Sequence, residues 1–160
     1  MKSVLISIQP KWCELIANGE KTVEVRKTRP RIDVPFKVYI YETQGRAETP
    51  FVDEDGHEIF KGRGQVIGEF VCEKITKAEC GKYCTLSPSQ TKVDALDLLE
   101  YADTKPVYGW HISDLVIYDD PKELSEFRLS EYRYGKIMLP PRNITRPPQS
   151  WCYVEERSFQ

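Results

Sequence analysis

The sequence predicts a single α+β domain: a small β-barrel or strongly curved sheet with a few flanking helices covering its ends. Three observations predict it. Six or seven short segments alternate or run apolar in the manner of strands, from "VLISIQ" near the start to "SWCYVEE" near the end. Only two stretches carry helical spacing, "PKWCELIANG" and "LSPSQTKVDALDLLEYAD". A chain of 160 residues, 40% hydrophobic and 30% charged, suits one domain over residues 1–160 with a real core.

"VLISIQ" reads as the first strand. In "PKWCELIANG", Pro10 suits the first helical position, Gly19 suits the residue past the end, and Trp12, Leu15 and Ile16 form the expected buried stripe. "TVEVR" is a second strand. "PFKVYIYET" is a third, with Val38 and Ile40 on one face and Tyr39 and Tyr41 on the other. Residues 44–64 hold acids, glycines and Pro50, and read as a long loop or hairpin excursion. "GQVIGEFVCEKI" is a strand whose internal Gly68 marks a bulge or a close backbone approach. One helix is expected from Ser87 and Pro88 onward, with Val93, Leu96 and Leu99 as its apolar positions and Asp94, Asp97 and Glu100 on a solvated face. "VYGWHISDLVIYDD" holds one or two strands, "PKELSEF" a short turn or helix, and "YGKIML" a possible strand. "PPRNITRPP" is too proline-rich to be regular.

Composition narrows the function classes. No apolar run approaches the roughly 20 residues that span a bilayer, and "SVLISI" lacks the basic leader and cleavage site of a signal peptide. A net charge of −2 and a pI near 5.8 argue against a uniformly basic nucleic-acid binder. The charge is uneven, however. Lys21 to Arg31 holds five basic residues and one acid, and Arg133 to Arg146 holds four basic residues and none, so a local basic cleft on an acidic body is expected. Five cysteines, an odd number without an export signal, point to reduced thiols and a cytoplasmic location. Cys80 and Cys84 are the only close pair, and neither histidine has a near partner, so no metal is expected. There is no glycine-rich phosphate loop and no Gly-x-Ser-x-Gly elbow, so no cofactor is expected either.

The stretch "GEKTVEVRKTRP" carries the chemistry. As a strand, it shows Val23 and Val25 to the core and Thr22, Glu24 and Arg26 on the opposite face, with Lys21 just before and Lys27, Arg29 and Arg31 just after. A hydroxyl, an acid and an arginine in a row suit the wall of a polar cleft. They also suit a simple ion pair at a barrel mouth, Glu24 with Arg26 or Lys21.

"SIQPKWCELIANGEKTVEVRKTRP", "VIGEFVCEKI" and "YGWHISDLVIYDDPKELSEF" resemble ASCH domains, relatives of the PUA domain with a PUA-like β-barrel. The helix followed by Gly-x-Lys-x-x-Glu-x-Arg is the most diagnostic piece, present as Gly19, Lys21, Glu24 and Arg26. The ending "RPPQSWCYVEE" is similar to bacterial and phage members. The resemblance covers nearly the whole chain apart from 44–64 and 76–105. It implies a cleft between the barrel and the first helix, lined by the Lys-Glu-Arg cluster.

Three functional readings follow. The PUA-like resemblance implies RNA or a modified nucleotide as ligand. Arg26, Lys27, Arg29, Arg31, Lys136, Arg142 and Arg146 could then meet phosphates. Trp12, Tyr39, Tyr41, Trp110 or Trp151 could stack on a base, although aromatic residues of a small barrel belong more often to its core, Trp110 above all, and Glu24 could accept from an exocyclic amino group. The second reading is an enzyme. One branch of the family hydrolyses N4-acetylcytidine with a lysine, a threonine and a glutamate. The matching lysine is Lys21, but Glu24 stands where the threonine would be, and Thr22 lies about 7 Å along the strand. A water-based route would make Glu24 the general base and Lys21 the oxyanion stabiliser, although Lys21 and Arg26 would hold the Glu24 pKa down. Some relatives are associated with ribonuclease activity, for which Lys21, Glu24 and His111 are candidates. The third reading is a transcription-related interaction module, with an unknown protein partner meeting the acidic stretches near 48–58 and 94–103.

Overall fold

The computed structural model describes residues 2–45, 55 and 62–159. The excursion expected over 44–64 lies largely outside them. The elements in chain order are β1 (Lys2–Ile8), α1 (Pro10–Ala17), β2 (Val23–Arg26), β3 (Phe36–Glu42), β4 (Gln65–Ala78), α2 (Pro88–Thr91), α3 (Ala95–Ala102) and β5 (Val107–Lys122). A 3-10 turn (Leu124–Glu126) follows, then β6 (Arg128–Leu129), β7 (Tyr132–Tyr134), β8 (Ile137–Leu139), β9 (Arg142–Asn143) and β10 (Trp151–Glu155). The architecture is α+β, as expected.

The strands form one mixed sheet in the order β2-β5-β4-β3-β1-β10-β6-β9, with β7 and β8 as a separate hairpin. β1 and β3 run parallel, with α1 and β2 between them in sequence, and the remaining pairs are antiparallel. Of the two expected forms, the small barrel is corrected here: the sheet is open, with β2 and β9 as its edges. β2 is only four residues long, and Pro30 soon after it has no N–H to give a ladder. Its outer edge therefore never zips to another strand.

Side chains bridge that gap instead. Arg26 reaches from β2 to the Ser7 carbonyl on β1 (2.7 Å) and the Ser150 hydroxyl beside β10 (3.3 Å). The Trp151 indole donates to Thr28 Oγ1 (2.9 Å), and the Tyr153 hydroxyl accepts from the Arg31 backbone (2.7 Å). The sheet thus curls until two strands four places apart in its order face each other across a seam of side chains.

The core follows the period of two. Val4, Ile6, Ile8, Val38 and Ile40 pack with Phe70, Trp110 and the buried α1 residues Cys13 and Ile16. Leu5, Tyr39 and Tyr41 belong to a second cluster with Val66, Phe127 and Val154. On α1 the buried positions are Cys13 and Ile16, with Trp12 and Leu15 only half-buried, which rotates the stripe from the one expected. The helix expected from Ser87 is two helices. Lys92 adopts a positive φ of 58° that ends the first, and Asp94 caps the second by accepting from the Leu96 N–H. This rotates the apolar face: Leu98 and Ala102 are buried, and Leu96 is 75% exposed. "VYGWHISDLVIYDD" lies within a single long strand, and the proline-rich stretch contributes the short β9. Cys80 and Cys84 face each other across an isolated bridge with their Cα atoms 4.2 Å apart, the one close pair of cysteines that the sequence also shows.

Gly68 lies where β4 bulges against β5. A Cβ there would sit 2.4 Å from the Val116 carbonyl oxygen and 3.1 Å from Ile117 Cα. Gly68→Ala is therefore expected to lower stability by about 1–3 kcal/mol, seen as a lower urea midpoint at unchanged slope.

Candidate functional site

The site begins at the end of α1. Gly19 takes a φ of +82°, the left-handed residue that commonly follows a helix. The chain turns there, and the Lys21 N–H donates back to the Leu15 carbonyl. Lys21 is left one turn from the sheet with its side chain inward, 2% exposed. Its ammonium donates to the Thr91 carbonyl at the end of α2, lies 3.4 Å from Glu24 Oε2, and sits 4.9 Å from the centre of the Trp12 ring. Glu24, on β2, is 5% exposed. Its other oxygen, Oε1, accepts from Arg26 Nε (3.1 Å) and Nη2 (2.9 Å).

Two cations and one anion thus lie together, Lys21 and Glu24 buried and Arg26 half-buried, a group of net positive charge. Burial lowers the Lys21 pKa from 10.5, and Glu24 acts against that shift. Among the described residues, Glu24 Oε2 accepts no hydrogen bond and has only the Lys21 ammonium beside it.

A cleft of about 960 Å³ opens over this group. Lys21, Glu24 and Arg26 line it together with Trp12 from α1, Tyr41 from β3, and Asp97 and Tyr101 from α3. Ser7, Pro147 and Pro148 contribute from the β1–β10 side of the seam. The volume lies within the range of small-molecule sites, and the wall mixes aromatic rings with a few fixed polar groups. The cysteines offer no ready nucleophile: burial raises the Cys13 pKa and pushes Cys72 to about 11 and Cys152 to about 12. No cluster of three or more metal-ligating side chains occurs among the described residues.

Of the residues singled out from sequence, the structure brings Lys21, Glu24, Arg26, Trp12 and Tyr41 to this cleft. It places three elsewhere. Thr22 precedes β2 instead of lying in it; its backbone bonds to Gln90 and Ile112, and its side chain is exposed. Trp110 is fully buried in the core, edge-on to Phe36 and Trp151 with ring centres 5.9 Å away in each case. His111 points to the other face of β5 and bonds Thr76 through Nε2 (2.8 Å), with burial and Lys74 lowering its pKa from 6.5. Asp97 and Tyr101 were not singled out as site residues. Asp94 as an N-cap directly before "ALDLLEYA" was the available signal, since it puts Asp97 and Tyr101 one turn apart on the same helix.

A family model for the ASCH domain matches residues 6–116. The chain belongs to the ASCH domain family. Its fold is similar to crystal structures of an ASCH protein from Zymomonas mobilis. A tyrosine-to-phenylalanine mutant of that protein matches with a TM-score of 0.56 at 18% identity, covering 98% of this chain and 92% of that one. The crystal structure titled simply as the ASCH protein matches with a TM-score of 0.55 at 18% identity, covering 96% and 88%. No curated protein matches. The matched residues of this ASCH domain take in α1, β2, α3 and most of β5, but not β10 or the Ser150 side of the seam.

Two outcomes are expected. Arg26→Ala leaves the Glu24 carboxylate buried with one cation fewer and opens the seam at Ser7 and Ser150. It should cost about 3–5 kcal/mol in denaturant unfolding. For Lys21 the folded pKa lies below the unfolded 10.5, so the unfolded chain holds more protons between those two values. The contribution of Lys21 to stability therefore rises with pH across that window and falls as pH drops through it. Unfolding free energies of wild type and Lys21→Met, compared from neutral pH up to 10.5, should diverge in favour of wild type.

Proposed function

We propose that the cleft binds RNA or a modified nucleotide, with a base among Trp12, Tyr41 and Tyr101 and its polar edge toward the Lys21–Glu24–Arg26 group. The observation that supports this most is the cleft itself: it has the volume for a nucleotide, and its floor is a pre-organised polar group of two cations and one carboxylate, with Asp97 as a second carboxylate in the wall. Ordering costs on binding are small where the groups that read a ligand are already locked by one another. Lys21 is held by Thr91 and Glu24, and Arg26 by Ser7, Ser150 and Glu24. Membership of the ASCH family points the same way, toward an RNA-type ligand.

Hydrolysis of an amide on a modified nucleoside is the second reading, and Lys21 is the observation behind it. A buried lysine with a lowered pKa in a cleft suits proton transfer. Glu24 suits the role of base poorly, because both its oxygens face cations. Thr22, the hydroxyl nearest in sequence, lies outside the cleft. Turnover would need a nucleophile other than Thr22, a cleft hydroxyl such as Ser7 or Thr43 or a water, activated by a group other than Glu24, so binding is the better-supported reading.

The test is titration of the protein with RNA and with nucleotides, cytidine and N4-acetylcytidine forms included, at low salt, together with mass detection of any product. Wild type is expected to bind at least one of them without turnover, and Tyr101→Ala to weaken that binding about tenfold. Tyr101 is partly exposed, so its removal spares the core. Absence of binding to every ligand in the set would overturn the proposal. A product lost in Lys21→Met would establish the enzymatic reading instead.

A further inference from the structure

A second groove of about 450 Å³ lies beside the cleft. Lys27, Arg29 and Arg31 line it, with Ile32, Tyr108 and one acid, Asp33. All three cations are exposed, and none pairs with a carboxylate among the described residues. The segment that carries them is fixed at two points on β10: Thr28 by the Trp151 indole and the Arg31 N–H by the Tyr153 hydroxyl. Arg29 also donates to the Pro30 carbonyl (3.3 Å). These cations are therefore presented along a braced segment instead of a loose loop.

The groove and the cleft meet. The Lys27 ammonium, in the groove, lies 4.8 Å from the centre of the Tyr101 ring, in the cleft wall. Tyr108 pairs across β5–β2 with Arg26, the arginine under the cleft. A half-buried aromatic ring beside three exposed cations with no carboxylate partner among the described residues is the arrangement on which a single-stranded nucleic acid stacks a base and sets its phosphates.

We infer that this groove is a second nucleotide subsite. Tyr108 stacks a neighbouring base, and Lys27, Arg29 and Arg31 take the phosphates that join it to the nucleotide in the cleft. The inference rests on the reading of the cleft given above and deepens it: the ligand is a stretch of single-stranded RNA, and a free nucleotide fills only half of the site.

The experiment measures affinity for cytidine monophosphate and for a single-stranded oligocytidylate of roughly five nucleotides, across a salt series. It uses wild type, Tyr108→Leu and the double variant Arg29→Ala, Arg31→Ala. The oligomer is expected to bind wild type at least about tenfold more tightly than the monophosphate at low salt. Tyr108→Leu should reduce oligomer affinity about tenfold more than monophosphate affinity. The double variant should flatten the log–log salt slope for the oligomer by about 1.4, two phosphates' worth. Because the two arginines are exposed, that arm stands even if Tyr108→Leu fails to fold. Equal affinity for the two ligands, or an unchanged oligomer salt slope in the double variant, would overturn the second subsite while leaving a monophosphate-binding cleft intact. Binding of neither ligand would overturn both readings.

Discussion

A carboxylate buried between two cations organises this domain. Glu24 would carry a large desolvation cost alone, and burying a charged pair is favourable only when the geometry is good and the remaining hydrogen-bonding capacity is met. Here Arg26 meets one oxygen with two N–H groups and spends its others on Ser7 and Ser150. Lys21 stands 3.4 Å from the other oxygen, an ion pair without a hydrogen bond, and spends a donor on Thr91, so that one acceptor stays unmet. Five separate pieces of chain are tied through one acid: the end of α1, β2, the end of α2, β1 and the approach to β10. The spacing Gly19, Lys21, Glu24, Arg26 is the local statement of that arrangement. Glycine turns the chain out of the helix, lysine swings inward ahead of the strand, and the alternate strand positions 24 and 26 share a face.

The same interaction accounts for the cleft. Strands joined by a ladder sit about 4.8 Å apart and leave no room between them. β2 and the β1–β10 pair are joined by an arginine and an indole, both long side chains, so the walls stand further apart and a cavity remains above the seam. Trp110, Trp151 and Phe36 pack edge-on in the core on the β5 and β10 side of it. The open sheet is thus what distinguishes this domain from a closed barrel and also what gives it a site. The basic segment 27–31 follows directly from β2, which places its charges at the cleft's border without any further element.

Much of this was legible in the sequence because it is local. Strand β1, helix α1, strands β2 to β4 and strand β10 follow from alternation, Pro10 and Gly19, and the close approach at Gly68 was marked by a glycine inside a strand. The Lys21–Glu24–Arg26 group was visible as an odd polar face. Three things were not. Thr22 looked like part of the strand, yet the ladder begins at Val23, a boundary that only the pairing with β5 decides. The break at Lys92 depends on a left-handed residue with no glycine to announce it, and it leaves Asp97, exposed as expected, and Tyr101, which was not singled out, along the cleft wall. Barrel closure could not be read from strand count, because it depends on whether the β2 edge meets another strand or only side chains. Trp110 and His111 were legible as well: alternation puts them on opposite faces, and the structure buries the indole and hydrogen-bonds the imidazole on the strand, the plainer reading of each.

The central claim is that a nucleotide occupies the cleft over the buried Lys21–Glu24–Arg26 group. The three tryptophans allow the most direct test, because their indole N–H signals report on three different places. Trp12 lines the cleft, Trp151 spans the seam to Thr28, and Trp110 is sealed in the core. A nitrogen–proton correlation spectrum titrated with single-stranded RNA should move the Trp12 indole and the amides around Lys21 and Tyr101, with the Trp110 indole nearly still. Shifts confined to the acidic faces or the β7–β8 hairpin, with Trp12 unmoved, would contradict the account.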